Sequence, residues 1–342
     1  MNRQNRIEDN EANDEEENFD YSNFNPDVLT NSNTDKNAIA KNQGKINFEI
    51  PPDEDFIFNN TLWPEDSKLY GHGYEIISLA ISHNGKFAAS GAKSQSEKNS
   101  KLFIWDTEKN SLIKKLDGHV LTIVQIEFSY DDKYILTVSR DRSLCIYERN
   151  SNLNEEDGKD FKLLQMEKET HMRIIWGCAW SFDSKIFLSG SRDNSVKVWL
   201  KKDLNNGNNI NNSNDNSNSN KFCEVICKEF DDAVTSVCLF DRIFNDKFYC
   251  GIIGLENGEL ILVKIYVGND NDTNNNYDEN KEKKDCSMDI IMKFPKFLSH
   301  GLAVKRIKSF TKDNLIKIAS CSDDHTVRLF ELSFDYIENL IK

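Results

Sequence analysis

Three stretches of the chain share one pattern of polar and apolar positions. They are Ser139-Arg140-Asp141-Arg142-Ser143-Leu144-Cys145-Ile146-Tyr147, Ser191-Arg192-Asp193-Asn194-Ser195-Val196-Lys197-Val198-Trp199 and Ser322-Asp323-Asp324-His325-Thr326-Val327-Arg328-Leu329-Phe330. Each predicts the end of one strand, a tight turn carrying an Asp, and a second strand that closes on an aromatic residue. A fourth copy, Gly254-Leu255-Glu256-Asn257-Gly258-Glu259-Leu260, sets Asn in the Asp position, a residue equally able to hydrogen-bond its own turn. A first copy ends in Phe103-Ile104-Trp105-Asp106, with its turn replaced by the polar stretch Lys93 to Ser100. Strand-like runs stand before the turns at Phe87 to Ser90, Tyr134 to Val138, Ile186 to Ser189 and Ile316 to Ser320. In the third unit, Ile174 to Ser181 puts Trp176, Cys178 and Trp180 on one face and Ile175, Gly177 and Ala179 on the other, as a strand packed on both sides requires.

The unit recurs about every 45 to 50 residues, the spacing of a four-stranded propeller blade. A start signal precedes it at Gly71-His72, Gly118-His119, His171 and His300, and is lacking only before the fourth unit, around Asp232. The predicted fold is therefore all-β, a propeller over residues 51–342 with blades at about 72–117, 118–170, 171–231, 232–298 and 299–335. No segment predicts an amphipathic helix of four turns. Polar insertions at 150–160, 203–220 and 269–285, the second holding ten asparagines, each follow an aromatic-ended strand. They are expected to be disordered and to leave one common face, between the third and fourth strands of a blade.

Composition adjusts this picture at the N-terminus. Of 342 residues only 38% are hydrophobic, and Asn-rich tracts hold much of the deficit. Residues 1 to 55 carry 14 acidic and 5 basic side chains, a net of -9, which leaves -5 of the total -14 for the rest. Residues 1–50 are thus expected to be a disordered acidic segment, and the blades only mildly acidic, without a generic basic surface for nucleic acid. Eight cysteines, most of them in apolar runs, read as reduced core residues. Cys223 and Cys227 are close enough to suggest zinc, but no second pair or nearby His completes four ligands, so no metal site is expected. Met1 to Asp20 has no apolar leader core and no run approaches the ~18 apolar residues of a membrane span. These features predict a soluble, intracellular protein with no membrane partner.

The blade residues resemble those of WD-repeat proteins, in which a His, a Ser or Thr, a Trp and a turn Asp form a hydrogen-bonded chain across each blade. His171, Ser189, Trp199 and Asp193 match it fully. His119, Thr137 and Asp141 match with Tyr147 in the Trp place, His300, Ser320 and Asp324 match with Phe330 there, and the first blade keeps His72, Ser90 and Trp105. A Ser with a His and an Asp also invites a hydrolase reading. The same set recurs blade after blade, whereas a catalytic triad occurs once and needs an exposed nucleophile beside an oxyanion hole, so these residues are read as structural. No catalytic residue and no cofactor is expected.

Other stretches are more specific than blade geometry demands. Pro51-Pro52-Asp53-Glu54-Asp55, Asn60-Thr61-Leu62-Trp63-Pro64-Glu65, Lys68-Leu69-Tyr70-Gly71-His72-Gly73-Tyr74-Glu75-Ile76 and His171-Met172-Arg173-Ile174-Ile175-Trp176 resemble the Elongator complex subunit 2 family, as do Val138 to Arg142, Gly254 to Glu256 and Asp324 to Val327. The resemblance runs from about residue 50 to residue 332. It implies a non-catalytic scaffold of two propellers that holds the large scaffold subunit of Elongator and its catalytic subunit, which combines radical S-adenosylmethionine and acetyltransferase chemistry. The assembled complex begins wobble-uridine modification of tRNA, and the cytoplasm and nucleus are the implied locations. The family protein is about twice as long, and its second propeller has seven blades. A C-terminal fragment is the favoured explanation. The alternative is a compact ring of five, with Trp63 to Tyr70 as the outer strand of the last blade, which would leave no exposed sheet edge.

The face opposite the insertions stays compact and is the expected partner side. Tyr74, Arg140, Arg173, Arg192 and Asp323 project there, and Arg and Tyr are enriched at binding hot spots. The three arginines are candidates for an acidic partner surface or for weak contact with tRNA phosphate; the alternative is that Arg140 and Arg192 merely solvate a turn. A rival assignment is an adaptor of another assembly, such as a substrate receptor of a ubiquitin ligase, which would need a docking segment that residues 1 to 50 do not display.

Overall fold

The computed structural model describes residues 67–150, 160–203, 220–268 and 286–341. The chain divides into two compact units, Met1–Asp66 and Ser67–Lys342, of which the first lies outside the described residues. The expectations of disorder for 1–50 and for nearly all of the three insertions fall outside them too.

Among the described residues nineteen strands form five antiparallel sheets, each following the chain order from strand to strand. Blade 1 holds β1 (Ile76–Ile81), β2 (Phe87–Ala92), β3 (Leu102–Asp106) and β4 (Ser111–Leu116). Blade 2 holds β5 (Ile123–Phe128), β6 (Tyr134–Ser139), β7 (Leu144–Asn150) and β8 (Asp160–Glu167). Blade 3 holds β9 (Ile175–Trp180), β10 (Ile186–Ser191), β11 (Ser195–Asp203) and β12 (Asn220–Glu229). Blade 4 holds β13 (Val234–Phe244), β14 (Phe248–Leu255), β15 (Leu260–Tyr266) and β16 (Ser287–Lys293). Blade 5 has three strands among the described residues, β17 (Val304–Lys312), β18 (Leu315–Ser322) and β19 (Val327–Ser333). The first strands of all five surround one channel, a cavity of about 490 Å³ that Leu79, Gln125, Ala179, Val237 and Arg306 help to line. The molecule is an all-β, five-bladed propeller.

The core lies between blades rather than inside them. One apolar cluster joins blades 1 and 2 through Ile104 and Ile126, a second joins 2 and 3 through Leu136 and Trp180, a third joins 3 and 4 through Leu188 and Val237, and a fourth joins 4 and 5 through Ile252 and Ile307. Such interfaces need the next first strand to come close. At Gly190 an added Cβ would stand 2.7 Å from Val234 Cγ1, and at the matching Gly254 it would stand 2.7 Å from Val304 Cγ1, so even an alanine methyl would force the blades apart. No such cluster joins blade 5 to blade 1 among the described residues, where Leu79 is 64% and Leu329 78% exposed. Of Trp63 to Tyr70, residues 63–66 are not described and 67–70 form no strand.

A two-turn helix, α1 (Phe334–Ile341), follows β19. Its spacing of Phe334, Ile337 and Ile341 gives one buried stripe, which packs into the cluster between blades 4 and 5. A search for four-turn patterns passes over so short an element. Arg242 stacks on Phe334 at 4.1 Å and reaches Glu338 at 3.8 Å, fixing the helix from β13.

The meander sets two faces. The turn from first to second strand and the connection from third to fourth lie together, tied by Thr107 N–H to Lys86 O, Arg149 N–H to Lys133 O and Lys201 N–H to Lys185 O. The three undescribed insertions interrupt third-to-fourth connections, between β7 and β8, β11 and β12, and β15 and β16. The hairpins from second to third strand and the loops entering each blade make the opposite face. Its hairpins share one geometry: Arg142, Asn194, Gly258 and His325 all adopt the left-handed conformation directly after the turn Asp or Asn.

Candidate functional site

In blade 3 the polar chain is complete. Trp199 Nε1–H donates to Ser189 Oγ at 3.0 Å, and Ser189 Oγ lies 2.9 Å from His171 Nε2. An indole only donates, so the serine oxygen accepts from Trp199 and gives its own proton to His171, which leaves an Nδ1–H to face Asp193 Oδ2 at 3.1 Å. The carboxylate also accepts from Met172 N–H at 2.8 Å and from the Ser195 hydroxyl at 2.5 Å.

The other blades vary this scheme. In blade 2, His119 meets Thr137 at 2.7 Å and Ser143 at 2.9 Å, while its contact to Asp141 is longer at 3.4 Å. Tyr147, in the Trp place, donates instead to Asp117 O at 3.2 Å. In blade 5, His300 lies 2.7 Å from Ser320, 3.1 Å from Thr326 and 3.2 Å from Asp324, with Phe330 packed edge-on against Phe294. Blade 1 keeps His72 and Trp105, each 2.7 Å from Ser90 Oγ. Ser143, Ser195 and Thr326 thus join a network from which sequence reasoning omitted them, although the repeated Asp-x-Ser/Thr step carries the signal. All four central hydroxyls, on Ser90, Thr137, Ser189 and Ser320, are buried.

These contacts hold the turn carboxylates ionised. Burial raises the pKa of Asp141 and of Asp193, but the hydrogen bonds from the histidine, the +2 hydroxyl and the backbone outweigh it and hold both below the usual carboxylate range. The folded values lie below the ordinary 3.8, so these aspartates contribute stability that is fully present above 3.8 and lost as pH falls below it. Chemical denaturation at stepped pH is therefore expected to show midpoints that fall below about pH 4. That fall should shrink in Asp193→Asn, and an equal fall in variant and parent would refute the assignment. The thiols move the other way: burial pushes Cys145 and Cys250 up to about 12 and Cys238 to about 11, so they stay protonated. Cys223 and Cys227 lie on β12, and no group of three metal-ligating side chains occurs among the described residues.

On the compact face, the first residue after each second strand donates its N–H to the residue that leads into the first strand: Lys93 to Glu75 O, Arg140 to Thr122 O, Arg192 to Ile174 O, the exposed Glu256 to Ala233 O and Asp323 to Ala303 O, all between 2.8 and 3.1 Å. These pairings fix one ring of exposed side chains. At blade 1, Lys93 pairs with Glu75 at 2.9 Å, and at blade 5 Asp323 pairs with Lys305 at 2.7 Å. Arg140, Arg173 and Arg192 are exposed and have no ion pair among the described residues, so blades 2 and 3 present uncompensated positive charge. Tyr74 is 60% exposed.

The opposite face carries a clasp that sequence reasoning missed. Ser82-His83-Asn84-Gly85-Lys86, Ser129-Tyr130-Asp131-Asp132-Lys133 and Ser181-Phe182-Asp183-Ser184-Lys185 share a Ser-x-Asn/Asp-x-Lys pattern. Asp132 accepts from the His83 and Asn84 N–H groups at 2.8 and 2.9 Å, and Tyr249 donates to Asp183 at 2.8 Å, so each turn grips its neighbour. His83 stacks on Tyr130, and Tyr130 meets Phe182 edge-on, across successive blades.

Comparison with known proteins agrees with this architecture. The family model described as WD domain, G-beta repeat matches residues 64–106, 110–148, 163–199 and 293–331, passing over the blade that lacks the start histidine. Elongator complex protein 2 of Arabidopsis thaliana is 32% identical over 292 residues, covering 83% of this chain and 31% of the relative. The Drosophila melanogaster protein of that name is 32% identical over 312 residues, covering 90% and 35%, and the Homo sapiens protein 30% identical over 300 residues, covering 83% and 34%. The chain thus spans about a third of the length of these relatives. No helix among the described residues is long and apolar enough to cross a membrane. Repeated blades and similarity along most of the chain lead to one conclusion: this is a WD-repeat protein of the Elongator complex protein 2 family.

Proposed function

We propose that this chain is a non-catalytic scaffold of an Elongator complex, holding the large scaffold subunit and the subunit that carries radical S-adenosylmethionine and acetyltransferase chemistry. In that assembly it supports wobble-uridine modification of tRNA in the cytoplasm and nucleus. The observation that carries the reading is similarity to Elongator complex protein 2 over 83–90% of the chain. Arg140, Arg173 and Arg192 are the residues proposed to meet an acidic partner surface or tRNA phosphate, because their guanidinium groups project from a rigid hairpin face without a carboxylate partner among the described residues. Tyr74 and Asp323 flank them on the same face, Asp323 with its charge already engaged by Lys305. Affinity purification of the tagged chain, read by mass spectrometry, is expected to recover the large scaffold and catalytic subunits together. Recovery of a ubiquitin ligase core instead would transfer the chain to the adaptor class.

A further inference from the structure

Blade 1 departs from its neighbours at one chemically defined point. In blades 3 and 5 the turn carboxylate accepts two donors at once, the histidine Nδ1–H and the N–H of the following residue: His171 at 3.1 Å and Met172 at 2.8 Å on Asp193, His300 at 3.2 Å and Gly301 at 2.9 Å on Asp324; in blade 2 Asp141 accepts from Val120 N–H at 2.8 Å, with His119 Nδ1 at 3.4 Å. In blade 1 the hairpin is the longer Lys93 to Ser100, which places no aspartate there, and no hydrogen bond from His72 Nδ1 or Gly73 N–H to the described residues is formed. His72 itself is held as firmly as the others, by Ser90 at 2.7 Å and by a stack on Phe103 at 3.9 Å.

The hairpin is preformed around this point. Ser94 N–H donates to Thr122 Oγ1 and Thr122 Oγ1 donates to Ser94 O, both at 2.9 Å, and the buried Ser100 hydroxyl is fixed to His119 O of the next blade. Two adjoining clefts open beside it. One of about 890 Å³ is lined by His72, Gly73, Tyr74 and Asn99, with Glu75 and its partner Lys93 also on its wall. The other, of about 390 Å³, repeats His72, Tyr74 and Asn99 and adds Lys98, Lys101 and Lys115. Lys101 is engaged by Asp117 at 2.8 Å, whereas Lys98 and Lys115 are exposed and have no carboxylate partner among the described residues. Lys115 also lies over the Phe103 ring at 4.5 Å, against which His72 stacks.

We infer that blade 1 binds the carboxylate of an acidic peptide segment of a partner, which accepts from His72 Nδ1–H and Gly73 N–H as the turn aspartates do in blades 3 and 5, with Lys98 and Lys115 supplying the charge. The donor pair is the one that two other blades show to hold a carboxylate, and Lys98 and Lys115 line the adjoining cleft. Tyr74, exposed at the rim of both clefts, offers an aromatic surface to the peptide backbone. This site is separate from the arginines of blades 2 and 3.

The test uses the full chain and a fluorescein-labelled peptide of five alternating aspartates and glutamates, with the asparagine and glutamine peptide as control. Fluorescence anisotropy is expected to show binding of the acidic peptide alone, weakened about tenfold or more by Lys98→Glu with Lys115→Glu, both exposed positions. In the parent chain, nitrogen NMR of the labelled imidazoles is expected to show the His72 Nδ1 resonance moving on saturation while that of His171 stays. Equal binding of the amide peptide, an unchanged affinity in the lysine variant, or a still His72 resonance at saturation would each overturn the inference. So would a loss confined to Arg140→Glu or Arg192→Glu, which would place the peptide on the other patch.

Discussion

His171→Ala is expected to lower the unfolding free energy by about 2 to 3 kcal/mol, a large share of the stability of a marginal domain. The substitution removes the group that joins the buried Ser189 to Asp193, whose side chain is 10% exposed. The carboxylate keeps Met172 N–H and Ser195, but its largest opposing interaction against burial is gone. The Trp199 indole keeps its acceptor, whereas the Ser189 proton loses its own. Urea denaturation followed by tryptophan fluorescence measures the loss, and a drop below about 1 kcal/mol would mean that the network contributes little. A sharper comparison follows from blade 5. Ser320→Ala should cost less than Ser189→Ala, because Phe330 has no N–H to strand whereas Trp199 does.

Reversing Arg140, Arg173 and Arg192 to Glu together is expected to weaken binding of tRNA or an acidic partner surface on the order of a hundredfold at low salt, with a shallower salt dependence. Three released counterions account for much of that figure, and repulsion from the new carboxylates for the remainder. Stability should hardly change, since all three are exposed and their structural hydrogen bonds at Arg140 and Arg192 come from the backbone. Electrophoretic mobility shift with tRNA and copurification of the Elongator subunits give separate readings. Retention of both at parental levels would remove this face from the proposed function.

How much of this was legible beforehand depended on whether a residue's role repeats. The alternation of Trp176, Cys178 and Trp180 and the Asp-containing turns announce strands and hairpins because every blade must solve the same packing problem with the same residue types. His171, Ser189, Asp193 and Trp199 could be read together for that reason. Tyr147 and Phe330 hold the Trp place only by position: the tyrosine hydroxyl turns to Asp117 O and the phenylalanine to an aromatic contact. The clasp in which Asp132 and Ser184 accept from N–H groups of the preceding turn repeats as well, but its partners lie in the adjacent blade about 50 residues away, which a search within one unit does not link. The helix Phe334–Ile341 has two turns and one stripe, too short to stand out from a strand's end. The face that Lys93 to Ser100 builds was invisible for the opposite reason, since a departure from the repeat carries no template.

The four buried thiols have a consequence for how the ring comes apart. Cys145 sits in the cluster of blades 1 and 2, Cys178 in that of 2 and 3, and Cys238 with Cys250 in that of 4 and 5. Protonated and fully buried, Cys145, Cys178 and Cys250 are mute to an alkylating reagent until their own interfaces open, whereas Cys238 also lines the central channel. The apolar clusters join successive blades, with a polar link across the channel from Arg306 and Lys308 of blade 5 to Gln125 and Glu127 of blade 2, so the interfaces form a linear series that can open one by one. The three fully buried thiols therefore amount to clocks distributed along that series, their relative labelling rates recording the sequence in which the interfaces let go.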